Sequence, residues 1–333
     1  MNDDICRGLT GHTLSFLASV WEKTKSPELF PWFTLVVAIA KNNLTNDAAA
    51  ALTQLFCGKA VSEREVRRKL TEVYKLARSS CLLDASVRFR PRELDGRFPG
   101  VTGIVDVTTI CCREVGATPG HPDATWSGKH RSHVYKIEMW TTMQGTPFFM
   151  TDALKGRPHD AAIFVSQSKF AHYNGEKFLA DLGYVGMNHV VHEYKKGEDP
   201  DDVATGFNDQ VRMVRSRVER TFAWLDAYQI FHGTSRYQEC VTGLVYICAA
   251  LEQRRRMASP PLYDVWVAAP RRDWSAVPRC NCHWVKDAAH VEDAKNYRKH
   301  LIEHLETNGA GVVVCAKPPA KRARDEEGEL FFN

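Results

Sequence analysis

The chain has 333 residues, too many for one small domain and suited to two. With 44% apolar and 25% charged residues it has the composition of a soluble globular protein rather than a fibrous, disordered or membrane-embedded one. The net charge of +4 is weak evidence of a nucleic-acid partner by itself, and the longest early apolar run, Pro31–Ala40, is about half the ~20 residues of a bilayer span.

Residues 1–30 begin acidic and lack the basic region and cleavage site of a secretory leader, so a soluble, non-secreted protein without membrane contact is expected. Residues 1–97 read as mainly helical. FTLVVAIAKNNL makes an apolar helix, and TNDAAAALTQLF (Thr45–Phe56) opens on N-cap residue types and stops before Gly58. Ser62 with Glu65 has capping-box spacing, and Val66, Leu70, Val73 and Leu76 then share one helical face. That leaves Arg64, Arg67 and Arg68 on other faces. A helix-turn-helix that places these arginines on DNA and a plain α-hairpin packed on the main domain both fit this pair. RPRELDGRFPG (Arg90–Gly100) reads as the boundary linker.

From Gly103 the pattern turns to strands. GIVDVTTICC (Gly103–Cys112) has the Val, Ile and Thr of a buried strand but carries Asp106 in its middle. YKIEMWTT (Tyr135–Thr142) and TPFFMTDAL (Thr146–Leu154) complete a meander. A helix follows over Pro158–Phe170 with Asp160 as its N-cap, then strands at Lys177–Tyr184 and His189–Tyr194. Two long helices, Asn208 to about Tyr228 and Tyr237 to about Arg256, close the domain. The expected fold is α/β: a mixed five-stranded sheet flanked by helices over 98–258, preceded by a helical domain over 1–97 and followed by an extension over 259–333.

Ten cysteines in a non-secreted chain are read as thiols, with Cys111 and Cys112 as small buried residues. Cys280, Cys282, His283 and His290 lack the two-pair spacing of a zinc site, and a loop of free thiols is the simpler reading. Basic clusters at Arg64–Leu70, Arg212–Arg220, Glu252–Met257 and Ala320–Arg324 are each ordinary helix faces or tails. Together they fit an acidic polymer as partner.

A buried carboxylate must be paired, protonated or bound to a cation. If the first and fourth strands are neighbours, Asp106 and Asp181 meet at one end of the sheet, where two like charges raise one pKa unless a cation holds both. Hard divalent ions take such oxygen ligands, and two of them ~3.5–4 Å apart can activate water against a phosphodiester. Glu219 sits at the edge of the apolar stripe Val211, Val214, Val218, Phe222 and Leu225, pointing along the packing surface. The simpler roles are an N-cap for Asp160, a structural ion pair with Arg215 for Glu219, and a solvated turn for Lys129, His130 and Arg131.

Five stretches in order, FPGVTGIVDVT, WSGKHRSHVYKIEM, KGRPHDAAIF, EKFLADLGYVG and FNDQVRMVRSRVERTFAWL, resemble the nuclease of the PIF/Harbinger transposases, which are DDE superfamily endonucleases. The resemblance runs from about Phe98 to about Arg256 and implies a ribonuclease-H-like fold. By motif, Asp106, Asp181 and Glu219 become the catalytic acids, the last two 38 residues apart, and Asp160 a fourth metal ligand; the implied cofactor is a pair of Mg²⁺ or Mn²⁺ ions. The implied chemistry is DNA hydrolysis followed by strand transfer through the freed 3′-hydroxyl. Lys129, His130, Arg131, Arg212, Arg215 and Arg217 would hold phosphates of double-stranded DNA at transposon ends. The chain departs from the family pattern with Ala180 before the second acid, Asp226 in place of a basic residue, and GRPHD at a small-residue turn. The partners admitted are a Myb-like accessory DNA-binding protein and a second copy of the chain. A domesticated DNA-binding protein without cleavage is the competing expectation. The basic patch in KPPAKRARDEEGELFFN points to a nuclear location.

Overall fold

The computed structural model describes residues 2–98, 100–112, 125–156, 158–168, 176–187, 189–195, 202–232 and 240–259. The Cys280–His290 cluster, the expected helix at Asp293–Glu306 and the basic tail lie outside these residues.

Five α-helices come first: α1 (Asp3–Thr10), α2 (Leu14–Trp21), α3 (Phe30–Asn42), α4 (Asn46–Cys57) and α5 (Glu63–Ser79). Their boundaries are set by local chemistry. Thr45 Oγ1 accepts the Ala48 N–H, and Gly58 ends α4 in the left-handed conformation at φ 71°. Ser62 Oγ accepts the Glu65 N–H, but the Glu65 carboxylate turns to Arg68 instead of closing the capping box. Arg68 also reaches Glu72, so one of the three arginines expected on DNA is already engaged, while Arg64 and Arg67 are exposed.

The sheet is β1 (Val101–Cys111), β2 (Trp126–Ser127), β3 (Ser132–Thr142), β4 (Pro147–Met150), β5 (Leu154–Lys155), β6 (Lys177–Leu179) and β7 (Val190–Val191). Seven strands replace the expected five because Thr146–Leu154 breaks into β4 and β5, both on β3, and because the 126–127 segment adds a short hairpin arm. The main path is β2-β3-β1-β6-β7. β1 runs antiparallel to β3 and parallel to β6, which runs parallel to β7. An antiparallel meander joined to a parallel pair is consistent with a ribonuclease-H-like arrangement. The expected strand at Lys177–Tyr184 ends at Leu179, since Asp181 caps a 3₁₀ turn over Leu182–Tyr184.

Successive residues of β1 serve opposite faces. Ile104 packs under helix α7 (Asp202–Leu225) with Leu179, Val191, Val211, Val214 and Val218. Val105 faces the other way, into Trp140, Phe148, Phe178 and Tyr184. A further apolar cluster joins α1–α5 to α8 (Val241–Ala258) and to Ile110, Ile137, Met139 and Met150 of the sheet. The α5 face of Val66, Leu70 and Val73 is spent in this shared core. Cys112 is buried as expected, whereas Cys111 is exposed, because a strand end turns neighbours to opposite sides. No helix of the described residues is long and apolar enough to cross a membrane.

Candidate active site

Asp106 stands two residues beyond Ile104 and so shares its face, beneath α7. The parallel ladder ends at Ile104↔Leu179, and Asp106 and Asp181 each lie two residues beyond that rung, Asp181 past the end of β6. The expected neighbourhood of strands one and four is present as the β1–β6 pair. Asp181 Oδ1 accepts the Gly183 N–H at 2.8 Å. A Cβ on Gly183 would lie 2.8 Å from that oxygen and 3.6 Å from Asp160 Oδ2, so Asp160 and Asp181 border the same glycine.

Asp160 is not the helix cap. His159 takes that position, and Asp160 is the first residue of α6 (Asp160–Ile163), with Oδ1 accepting from Lys136 Nζ at 3.0 Å. The cap role would have tied the carboxylate to its own backbone; one position later it is free to face the other acids.

The group most affected is Asp106. Burial pushes its pKa up to about 6; the Val107 N–H and Arg215 oppose, and the charges of Asp181 and Asp160 add to the rise. Three acids from β1, the β6 exit and α6 thus share one field. Behind them lies Glu138, fully buried and missed in the sequence, whose carboxylate accepts from Trp140 Nε1 at 2.7 Å and from the Tyr184 hydroxyl at 3.2 Å. A charge inside the apolar run IEMW was the same signal that singled out Asp106.

Glu219 is placed differently from the expectation. It is exposed on α7, outside the packing surface, and the described residues offer it no ion pair; Arg215 pairs with Glu193 instead. The stripe Val211, Val214, Val218 and Leu225 is buried, and a step of about 100° per residue carries Glu219 beyond its margin, on the flank of Arg212 and Arg215. Arg212 bonds Glu193 at 2.7 Å, and the buried Arg215 Nε has no hydrogen-bond partner among the described residues. Arg217 is a structural residue, buried and bonded to Asp95 and to the Met143 carbonyl at 2.5 Å, and so is withdrawn from the phosphate-binding set.

Lys129, His130 and Arg131 form the exposed tip of the β2–β3 hairpin. His130 is held below the ordinary imidazole value by desolvation and by Lys129 and Lys136, with Asp160 opposing, which sets the tip beside the acids. Of the departures, the Ala180 methyl fills the core beside Trp140 and Phe178, and Asp226 is an exposed turn residue after α7.

An all-carboxylate donor set fits a hard divalent ion in chemistry, and Lys136 at 3.0 Å from Asp160 is a cation already at its edge. As the side chains stand, no three of the described His, Cys, Asp or Glu residues are gathered tightly enough to hold one ion.

A family model described as DDE superfamily endonuclease matches residues 105–253, somewhat under half of the chain. The matched stretch is similar to that family and contains Asp106, Asp160, Asp181 and Glu219. Comparisons with curated proteins and with solved structures find no match.

Proposed function

We propose that the protein is a metal-dependent DNA endonuclease of the Harbinger transposase type, acting through Asp106, Asp181 and Glu219 with Asp160 as a fourth ligand. The observation that carries this reading is the parallel pairing of β1 with β6, with Asp106 and Asp181 each two residues beyond its last rung, while Asp160 of α6 borders the same glycine as Asp181. Two Mg²⁺ or Mn²⁺ ions held there would supply a hydroxide nucleophile at neutral pH and neutralise the leaving oxygen. The chain's own contribution is positional. Gly183 N–H fixes one oxygen of Asp181, Lys136 fixes one of Asp160, and the Val107 N–H holds Asp106. Lys129, Arg131 and Arg212 are exposed cations suited to DNA phosphates, with His130 beside them, and Arg215 stands next to Asp106. In the N-terminal layer, Arg64 and Arg67 remain open to a helix-turn-helix contact. The nucleus, transposon ends and a Myb-like partner follow from the same reading.

The competing reading is a transposase-derived DNA-binding protein that does not cut. The exposed Glu219 and the arginine beside Asp106 favour it, because a guanidinium there serves as counter-ion without any metal. Nicking of supercoiled plasmid in Mg²⁺ or Mn²⁺ separates the two. The nuclease reading expects nicking by the wild type and its loss in both Asp181→Ala and Glu219→Ala. Wild-type protein that binds DNA but leaves the plasmid closed in either metal supports the binder. Nicking that survives Glu219→Ala removes that residue from the triad.

A further inference from the structure

On β2, which pairs with the strand that carries Lys136, the chain turns a tryptophan outward where stability alone would turn it inward. Around β2, Thr125 and Ser127 are 1% and 4% exposed, whereas Trp126 between them is 47% exposed. A ribbon that alternates sides can bury either set, and transfer energies favour burying an indole over two hydroxyls. The ring planes of Trp126 and His133 cross at 67° with centroids 5.1 Å apart, a contact that occupies at most one of the two indole faces.

The base of this hairpin is firmly held. The Thr125 carbonyl accepts the Val134 N–H at 2.9 Å, and Thr125 Oγ1 lies 3.0 Å from His133 Nδ1. Gly156 presses against it so closely that a Cβ would come within 2.8 Å of the Thr125 oxygen. At the tip, Arg131 has a left-handed φ of 50°, a strained conformation for a residue with a side chain. Lys129 and Arg131 are exposed and form no ion pair among the described residues. The patch is thus an open aromatic surface flanked by charge of one sign, which suits a polyanion carrying flat apolar groups. Trp126 pairs with His133, three residues along β3 from Lys136, the residue that holds Asp160. At about 3.3 Å per residue that is ~10 Å, within the reach of a few nucleotides.

We propose that Trp126 is a stacking platform for an unpaired DNA base a few nucleotides from the scissile phosphate, with Lys129 and Arg131 holding the adjoining phosphates. This rests on the DNA-cleaving reading of the neighbouring acids. A base inside a duplex has both faces covered by its neighbours, so an exposed indole selects bases that have left the stack.

The test uses the full chain in chelator, so that binding is read without cutting. Affinities are compared for a blunt duplex and the same duplex with a short single-stranded 3′ overhang. The wild type is expected to prefer the overhang. Trp126→Ala is expected to lose about ten-fold in overhang affinity with blunt-end binding unchanged, and Trp126→Phe to keep most of the preference. Equal wild-type affinity for the two DNAs overturns the proposal, as does an unchanged overhang affinity in Trp126→Ala. A fall from dimer to monomer in Trp126→Ala with DNA binding intact also overturns it, by assigning the ring to self-association. Plasmid nicking is scored separately. Protein that prefers overhangs through Trp126 but never nicks removes the nuclease reading alone, whereas nicking with Trp126→Ala binding like wild type removes this one alone.

Discussion

Asp95 and Asp106 lie eleven residues apart, on either side of the entry to β1; the first is buried and the second half-buried, and their surroundings differ. At Asp95, burial alone would raise the pKa, but the Arg97 fork at 2.5 and 2.8 Å and the buried Arg217 at 3.1 Å outweigh it, and the carboxyl is held below its ordinary value. At Asp106, burial wins and two further carboxylates add to it. The first acid is an internal counter-ion tying the linker to α7. At the second, the opposing Val107 N–H and Arg215 do not outweigh burial, so the carboxyl stays above its ordinary value. Burial by itself therefore does not distinguish a structural acid from a functional one; whether bonded cations outweigh that burial does.

The sharpest test of that contrast is removal of each acid. Asp95→Ala leaves Arg97 and Arg217 without their carboxylate and is expected to lower unfolding stability by about 3–5 kcal/mol in a urea titration. Asp106→Asn, by contrast, relieves desolvation and like-charge repulsion. Without divalent metal it is expected to hold or raise stability by about 1 kcal/mol while abolishing any metal-dependent cleavage. Equal destabilisation by the two substitutions would break the comparison.

A buried base provides the next largest effect. His12 in the helical layer bonds the Tyr228 hydroxyl at 2.8 Å, and burial, with Arg255 and Lys41, lowers its pKa to about 4. Its folded pKa lies below the unfolded value of about 6.5, so the unfolded chain binds more protons between them. Stability is then full above about pH 6.5 and falls by up to about 3 kcal/mol as pH drops toward 4. His12→Gln is expected to flatten that part of a pH series of urea midpoints, and an unchanged slope would place the titration elsewhere.

The smallest expected effect on stability is at Gly183. A methyl there meets the end of the Asp181 side chain, which can swing away, so Gly183→Ala should cost less than about 1 kcal/mol. If the acids are catalytic, the same change should reduce nicking about ten-fold by misplacing Asp181, since small displacements cost rate steeply. A loss of stability without a loss of rate would make the turn merely structural.

Much of the local structure was legible in residue order. The Thr45 and Ser62 caps, the Gly58 stop, the buried face of α5 and the strand around Asp106 all depend on contacts within a few residues. The errors fell where a distant neighbour decides. Asp160 looked like a cap until Lys136 claimed its carboxylate. Arg217 looked like a phosphate ligand until Asp95 and the Met143 carbonyl surrounded it. Glu219 lay close to the apolar stripe, and which side of that margin meets solvent is set by how α7 sits on the sheet.

Residue order alone therefore determined the succession of helices and strands and marked the buried charge in β1, because periodicity and capping are local. Only the tertiary structure decided that β6 lies beside β1, with Asp106 and Asp181 each two residues beyond their last shared rung, and that β2 turns Trp126 outward. Strand neighbours and their register are chosen by packing between segments far apart in the chain, which no short-range pattern encodes.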